Sequence, residues 1–241
     1  MIDKIDFNHT FEDSLNRRSI ELQEASVRLI GEYFYALLCK NEHVNLTGYH
    51  KIEDFVDFHL LDAIELMNIV NPSDNDVIYD IGSGAGIPGI LLNMLKPDIT
   101  VIMIETSRKK ADFIQQVIEE LKLDKCQIIN SRAEDAAHSI IHREKGDIAL
   151  ARAVGSLSAT LELTVGFVKQ NGQVLLPRGV GEDIARISDN PAKVLGCMVQ
   201  KVVKYKLPGR DKEFNAVIFS KTSNLSQKYP RKPGQIKKQP L

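Results

Sequence analysis

The chain has 241 residues, 43% hydrophobic and 26% charged, the balance of an ordinary globular protein with room for one large domain and a small appendage. It contains no apolar run long enough to span a bilayer, and its polar, acidic opening, Met1 to Leu15, lacks the apolar stretch of a secretory signal. Cys39, Cys126 and Cys197 are odd in number and form no CxxC pair, which speaks against a disulfide framework or a thiolate metal site and fits a cytoplasmic protein.

The net charge of −1 conceals a division: residues 221–241 hold six basic groups and no acid, so the first 220 residues sum to −7 and the last 21 to +6. An acidic body with a basic arm is expected.

In chain order, residues 17 to 40 predict a helix, with Ile20, Val27, Ile30, Phe34 and Leu37 on one face. A polar connector, Asn41 to Ile52, precedes a second helix from Glu53 to about Val70, stopped by Asn71-Pro72-Ser73. The texture then changes. Val77 to Ile81 reads as a strand, followed by a glycine loop and an apolar helix from Ile90 to Leu95. Ile99 to Glu105 is nearly continuous in apolar character, as a strand buried on both faces should be. Ser107 is expected to cap a helix to about Lys122, with further strands at 126–129, 147–151 and 173–176 between helical segments. Residues 199–207 and 214–220 predict a closing hairpin around Pro208-Gly209. This alternation is that of an α/β protein, a doubly wound, mostly parallel sheet covered on both sides. The expected division is an N-terminal helical extension (1–72), a core (73–221) and a basic, flexible tail (222–241) with little to bury.

The stretch Asp80-Ile81-Gly82-Ser83-Gly84-Ala85-Gly86-Ile87-Pro88-Gly89 follows a strand and opens a helix, the context of a nucleotide-binding loop. A dinucleotide fingerprint requires glycine at the sixth position from Gly82, where Ile87 stands, so an NAD-dependent oxidoreductase is disfavoured. The pattern is acid-x-Gly-x-Gly-x-Gly, with Asp80 placed either to meet a cationic ligand or to hold the loop by accepting its N–H groups. S-adenosyl-L-methionine, with a sulfonium and an ammonium but no phosphate, suits such a loop built on Gly82, Gly84 and Gly86. Glu105 ends the second strand, where a carboxylate can accept both ribose hydroxyls; an exposed strand-end acid is the alternative. Ala133-Glu134 follows the third strand at the sheet's carboxyl edge, where it can read an adenine or simply supply a first-turn helix acid. Arg152 ends the fourth strand, either to clamp an anion or to pair with a neighbouring acid. His138 and His142 are four apart with no third ligand in view, so no metal is expected.

These motifs together resemble the glucose-inhibited division protein B family, the guanine-N7 methyltransferases of bacterial small-subunit ribosomal RNA. The resemblance rests on Asn45-Leu46-Thr47, His59-x-x-Asp62, the loop from Asp80 to Gly89, Arg132-Ala133-Glu134, Ala151-Arg152-Ala153 and Tyr229-Pro230-Arg231-Lys232-Pro233-Gly234. It implies a seven-stranded, Rossmann-like class I methyltransferase core and cofactor contacts at Gly82, Ile87, Ala133, Glu134 and Arg152. It also implies ribosomal RNA or the small ribosomal subunit as partner; a monomer without membrane attachment is expected. The chain departs from the family pattern at Glu105-Thr106, at Leu176-Pro177-Arg178-Gly179 and near Glu213. RNA contact is expected from Lys228, Arg231, Lys232, Lys237 and Lys238. Guanine N7 has a lone pair and no proton, so the transfer needs no general base. Asp62, on one helix face with His59, is a candidate to stabilise the charge left on the base; a helix-surface ion pair is the plainer reading of the two. A methyltransferase acting on another RNA, a protein or a small molecule, and a non-enzymatic nucleotide- or RNA-binding module, are the competing functions.

Overall fold

The structure, a computed structural model, describes residues 3–152, 155–179, 190–207 and 213–241. Ala153 and the expected turn at Pro208-Gly209 lie outside them.

The acidic N-terminal stretch, expected only to lack a signal, is a helix, α1 (Lys4–Arg17). Asp3 caps it by accepting the Ile5 N–H at 2.7 Å, and Phe7, Phe11 and Leu15, four apart, form its buried face. The chain is non-helical from residues 18 to 23, so the next helix, α2 (Glu24–Asn41), starts seven residues later than the periodicity suggests. The following helix, α3, runs on through three stretches: α-helical Ile52–Phe55, a π turn Val56–Leu60 and α-helical Leu61–Val70. The Leu61 N–H reaches back five residues to the Val56 carbonyl. Such an inserted residue re-aims the side chains around it and is often found at functional sites. Asn71, in the left-handed conformation, ends the helix.

Seven strands follow: β1 (Val77–Ile81), β2 (Thr100–Glu105), β3 (Cys126–Asn130), β4 (Gly146–Ala151), β5 (Val168–Gly179), β6 (Cys197–Lys206) and β7 (Glu213–Lys221). They form one sheet in the order β3-β2-β1-β4-β5-β7-β6, with β7 antiparallel to both neighbours. This is the class I methyltransferase sheet, and β6 and β7 make the expected closing pair. Helices α4 (Gly89–Leu95), α5 (Arg108–Leu121), α6 (Ala133–His138), α7 (Leu157–Val165) and α8 (Pro191–Val194) connect the strands. Ser107 precedes α5 in the cap position, but its side chain makes no capping bond.

Two buried clusters cover the two faces. One joins the N-terminal helices to β1, β2, α4 and α5; the other packs α6 and α7 on the opposite face. The N-terminal extension therefore shares a core with the sheet. Two hydrogen bonds tie it down: Ser26 Oγ donates to the Met94 carbonyl at 2.8 Å, and Tyr33 Oη to the Ala85 carbonyl at 2.9 Å. Burial, and secondarily the charge of Asp80, pushes the Tyr33 phenol far above its ordinary pKa, so it stays a donor.

The final segment differs from expectation. Leu225, Tyr229, Pro230 and Ile236 are buried, and a short helix, α9 (Pro233–Lys238), forms near the end. Composition underestimated how much of 222–241 packs. Replacing Tyr33 with Phe strands the buried Ala85 carbonyl, so we expect unfolding in urea to show a loss of about 1–3 kcal/mol; an unchanged midpoint would mean that the bond adds nothing.

Candidate cofactor and acceptor site

The loop between β1 and α4 is held from beneath by two carboxylates. Asp80, 1% exposed at the end of β1, accepts the Gly89 N–H at 2.9 Å. Of the two roles open to it in sequence, the structure shows the loop-holding one. Burial pushes its carboxyl up to about 7, against the opposing effects of the Gly89 hydrogen bond and the Arg152 charge. Glu105, at the end of β2, accepts the Gly84 N–H at 2.9 Å and the Ser107 N–H at 2.7 Å. The Thr106 hydroxyl also reaches Oε1, at 3.4 Å. An ionised carboxylate offers about four acceptor positions, so about one remains, on the Oε2 side, for a ribose hydroxyl.

The glycines have separate duties. Gly82 (φ 71°) and Gly84 (φ 60°) take left-handed conformations, and a side chain at Gly84 would meet nothing within 4 Å. That open space is where a ligand can approach the backbone. Gly86 (φ 92°) packs on the first turn of α4, where an added Cβ would lie 2.5 Å from Ile90 Cδ1. Gly89 has a different reason: its Cβ would lie 2.9 Å from both Asp80 Oδ2 and Met103 Cγ. The loop's Pro-Gly ending is thus what lets α4 seat directly on the strand-end acid. Ile87 is buried behind the loop, and Ala133 and Glu134 are half-buried in the first turn of α6, just past β3.

The sheet register, Ile81 opposite Ala151, places Arg152 beside Gly82. Its Nη1 donates to Asp62 Oδ2 at 2.6 Å and to the Phe58 carbonyl at 3.4 Å. Asp62 Oδ1 accepts from Tyr205 Oη at 3.0 Å. Burial first, and the adjacent Asp62 second, push the Tyr205 phenol well above its usual range, which keeps it a donor. The expected surface pair of His59 and Asp62 does not form: both are buried, and His59 Nε2 instead meets Thr47 Oγ1 at 3.1 Å. What they share is a cavity of about 510 Å³ at the carboxyl ends of β4 and β5. Its walls include two aromatic pairs, Tyr49 with Phe58 (centroids 4.6 Å apart) and Tyr205 with Phe214 (5.5 Å), besides Arg152 and Arg178. The aromatic residues and Tyr205 carry no local sequence signal; only the fold gathers them.

The basic residues of the tail sit in two different settings. Lys228, Lys232, Lys237 and Lys238 are exposed. Arg231 turns toward the body: its Nε and Nη2 donate to the two oxygens of the fully buried Glu162, at 2.8 and 2.6 Å. A buried carboxylate needs such a partner, and a bidentate guanidinium is the best available. His138 Nε2 donates to the Pro230 carbonyl and His142 Nδ1 lies 3.2 Å from the Tyr79 hydroxyl, so each has a protein partner. Glu213 pairs with Lys206 at 3.5 Å.

The raised pKa of Asp80 fixes the sign of a pH effect. The folded state keeps a proton that the unfolded chain releases, so stability from this group is full below the ordinary carboxylate pKa of about 4 and is lost as pH rises to about 7. Relative to the wild type, Asp80→Asn should flatten unfolding free energy across that window by on the order of 2–4 kcal/mol; parallel pH profiles would contradict the shift. Gly84→Ala, free of clashes, should weaken S-adenosylmethionine binding in calorimetry with about 1 kcal/mol lost in stability. Gly89→Ala, which collides with Asp80 and Met103, should cost stability foremost, about 1–3 kcal/mol.

Residues 26–212 match the protein family described as GidB, rRNA small subunit methyltransferase G. Ribosomal RNA small subunit methyltransferase G of Fusobacterium nucleatum subsp. nucleatum is 34% identical over 231 residues, covering 96% of this chain and 98% of that protein. The protein of the same name from Clostridium botulinum (strain Loch Maree / Type A3) is 32% identical over 239 residues, covering 98% and 100%. Among solved structures, M. jannaschii TYW2 in complex with AdoMet superimposes with a TM-score of 0.51 at 17% identity, over 66% of this chain and 74% of that one, a likeness of fold. The match over most of the chain, on a sheet of this order and a loop of this spacing, makes the chain a member of the rRNA small subunit methyltransferase G family and an S-adenosylmethionine-dependent methyltransferase.

Proposed function

We propose that this protein methylates N7 of a guanine in small-subunit ribosomal RNA, as a cytoplasmic monomer. The observation that carries the reading is the aromatic-walled cavity lined by Arg152, whose strand ends next to the strand that leads into the glycine loop. Its walls suit a flat, unstacked base, and single-stranded or looped RNA is the nucleic acid that offers one. Among the described residues no helix is long and apolar enough to cross a membrane.

The loop fits the cofactor on two counts: the open approach over Gly84 and the remaining acceptor position of Glu105. Gly82, Gly84 and Ile87 would hold it along the loop, Glu105 at the ribose, and Ala133 and Glu134 at the adenine. When bound, S-adenosylmethionine supplies an electrophilic methyl on a sulfonium. The protein's own part is alignment. Tyr49, Phe58, Tyr205 and Phe214 present the base edge-on and exclude water, which makes the encounter effectively intramolecular. Asp62, fixed by Arg152 and Tyr205, holds a negative charge where the base becomes cationic, a preorganised electrostatic contribution.

The test is incubation with methyl-labelled S-adenosylmethionine and small-subunit RNA, free and in assembled subunits, followed by nucleotide mapping. We expect label at N7 of a single guanine. Label at another atom, or none in RNA, would sink the reading. Asp62→Asn should lower kcat by roughly 10- to 100-fold with little change in cofactor affinity; a matching loss of cofactor affinity would assign Asp62 to structure alone.

A further inference from the structure

The basic segment is anchored at the end of the sheet opposite the acceptor cavity. Arg143 donates to the carbonyls of Leu225 (3.0 Å), Ser226 (3.2 Å) and Tyr229 (3.0 Å). Glu144 accepts the Leu225 N–H at 3.0 Å, and His138 Nε2 donates to the Pro230 carbonyl at 2.8 Å. Arg143 and Glu144 precede the first residue of β4, and Glu162, which holds Arg231, lies in the last turn of α7 before β5. All of these are at the amino edge. The cavity is at the carboxyl edge, where β4 and β5 end. Six residues of β4 at about 3.3 Å each put the two roughly 20 Å apart.

The turn that carries Arg143 also exposes two large apolar side chains, Ile140 at 86% and Ile141 at 71%. The same turn holds residues 225–230, which carry Lys228, through Arg143, Glu144 and His138. Lys232 follows Arg231, Lys237 and Lys238 end α9, and residues 222–241 contain no acid. On a body of charge −7 this is a local reversal of sign.

We propose that Ile140, Ile141, Lys228, Lys232, Lys237 and Lys238 form a second RNA-contacting surface, separate from the acceptor cavity, so that the substrate is a folded RNA reaching at least ~20 Å beyond the target guanine. This rests on the RNA-methylating function above. The lysines meet phosphates, and the isoleucines cover an unstacked base face. Arg231 serves this surface by fixing the segment to Glu162 rather than by touching RNA.

The test compares the full chain with a Lys228→Ala, Lys232→Ala, Lys237→Ala, Lys238→Ala variant on protein-free full-length small-subunit RNA and on a short hairpin bearing the target loop. Cofactor affinity reports that the variant is folded. We expect the ratio of kcat/KM on full-length RNA to that on the hairpin to fall by tenfold or more. The slope of log affinity against log salt for the long RNA should shrink by about 3–4. Ile140→Ser with Ile141→Ser should weaken long-RNA binding without changing that slope. Equal losses on both RNAs, or an unchanged slope, would overturn the proposal. A loss seen with assembled subunits but not with protein-free RNA would overturn it in favour of a ribosomal protein partner. Should the full chain methylate neither RNA, filter binding of the same pair still decides the surface, and only the assigned activity fails.

Discussion

The Asp80 carboxylate accepting the Gly89 N–H fixes the geometry on which the cofactor side of the molecule depends. The first amides of a helix have no partner within it, and here one is met by a buried acid at the end of the neighbouring strand. Removing a carboxylate from water is costly, and the position tolerates it because the Gly89 amide, the Arg152 charge and a raised pKa share the burden. The arrangement works only if no Cβ intervenes, which is the physical content of glycine at 89. Glu105 repeats the device one strand over for Gly84 and Ser107. With both ends of the loop tied before any ligand arrives, binding need not pay to order it.

The N-terminal extension reaches the same loop from the other side. Tyr33 holds the Ala85 carbonyl, Ser26 holds α4 at Met94, and Asp62 holds Arg152 next to Gly82. Because these contacts join one continuous core, the extension is a wall of the site. Tyr49 and Phe58 come from it, whereas Tyr205 and Phe214 come from the far side of the sheet. The cavity lies where the helical layer meets the sheet, and the π turn at Val56–Leu60 lies in the stretch that brings His59 and Asp62 to that seam.

What was legible in sequence was what short-range pattern encodes. The near-continuous apolar runs of β1 and β2 and the spacing of Gly82, Gly84 and Gly86 needed no partner to be read. Other features depend on distance along the chain. Tyr205 meets Asp62 across 143 residues and Arg231 meets Glu162 across 69, and neither pairing leaves a local trace. Helix α1 was hidden because its three buried apolar positions are diluted by acids, although Asp3 as a cap and the spacing of Phe7, Phe11 and Leu15 were there to be counted. The terminal segment misled for a different reason. Its composition predicts little burial, yet a few side chains and several main-chain carbonyls suffice once Arg143 and Glu162 are waiting for them.

The state of Asp62 bears on the chemistry proposed for the cavity. One of its oxygens accepts from a guanidinium and the other from a phenol that burial keeps protonated. Held on both sides, Asp62 is fixed in position and is not free to swing toward an acceptor. An acceptor that must lose a proton during methyl transfer would need a freer base. Guanine N7, with its lone pair already in the ring plane, makes no such demand. It leaves behind a cation, which a fixed anion backed by two donors can stabilise without moving.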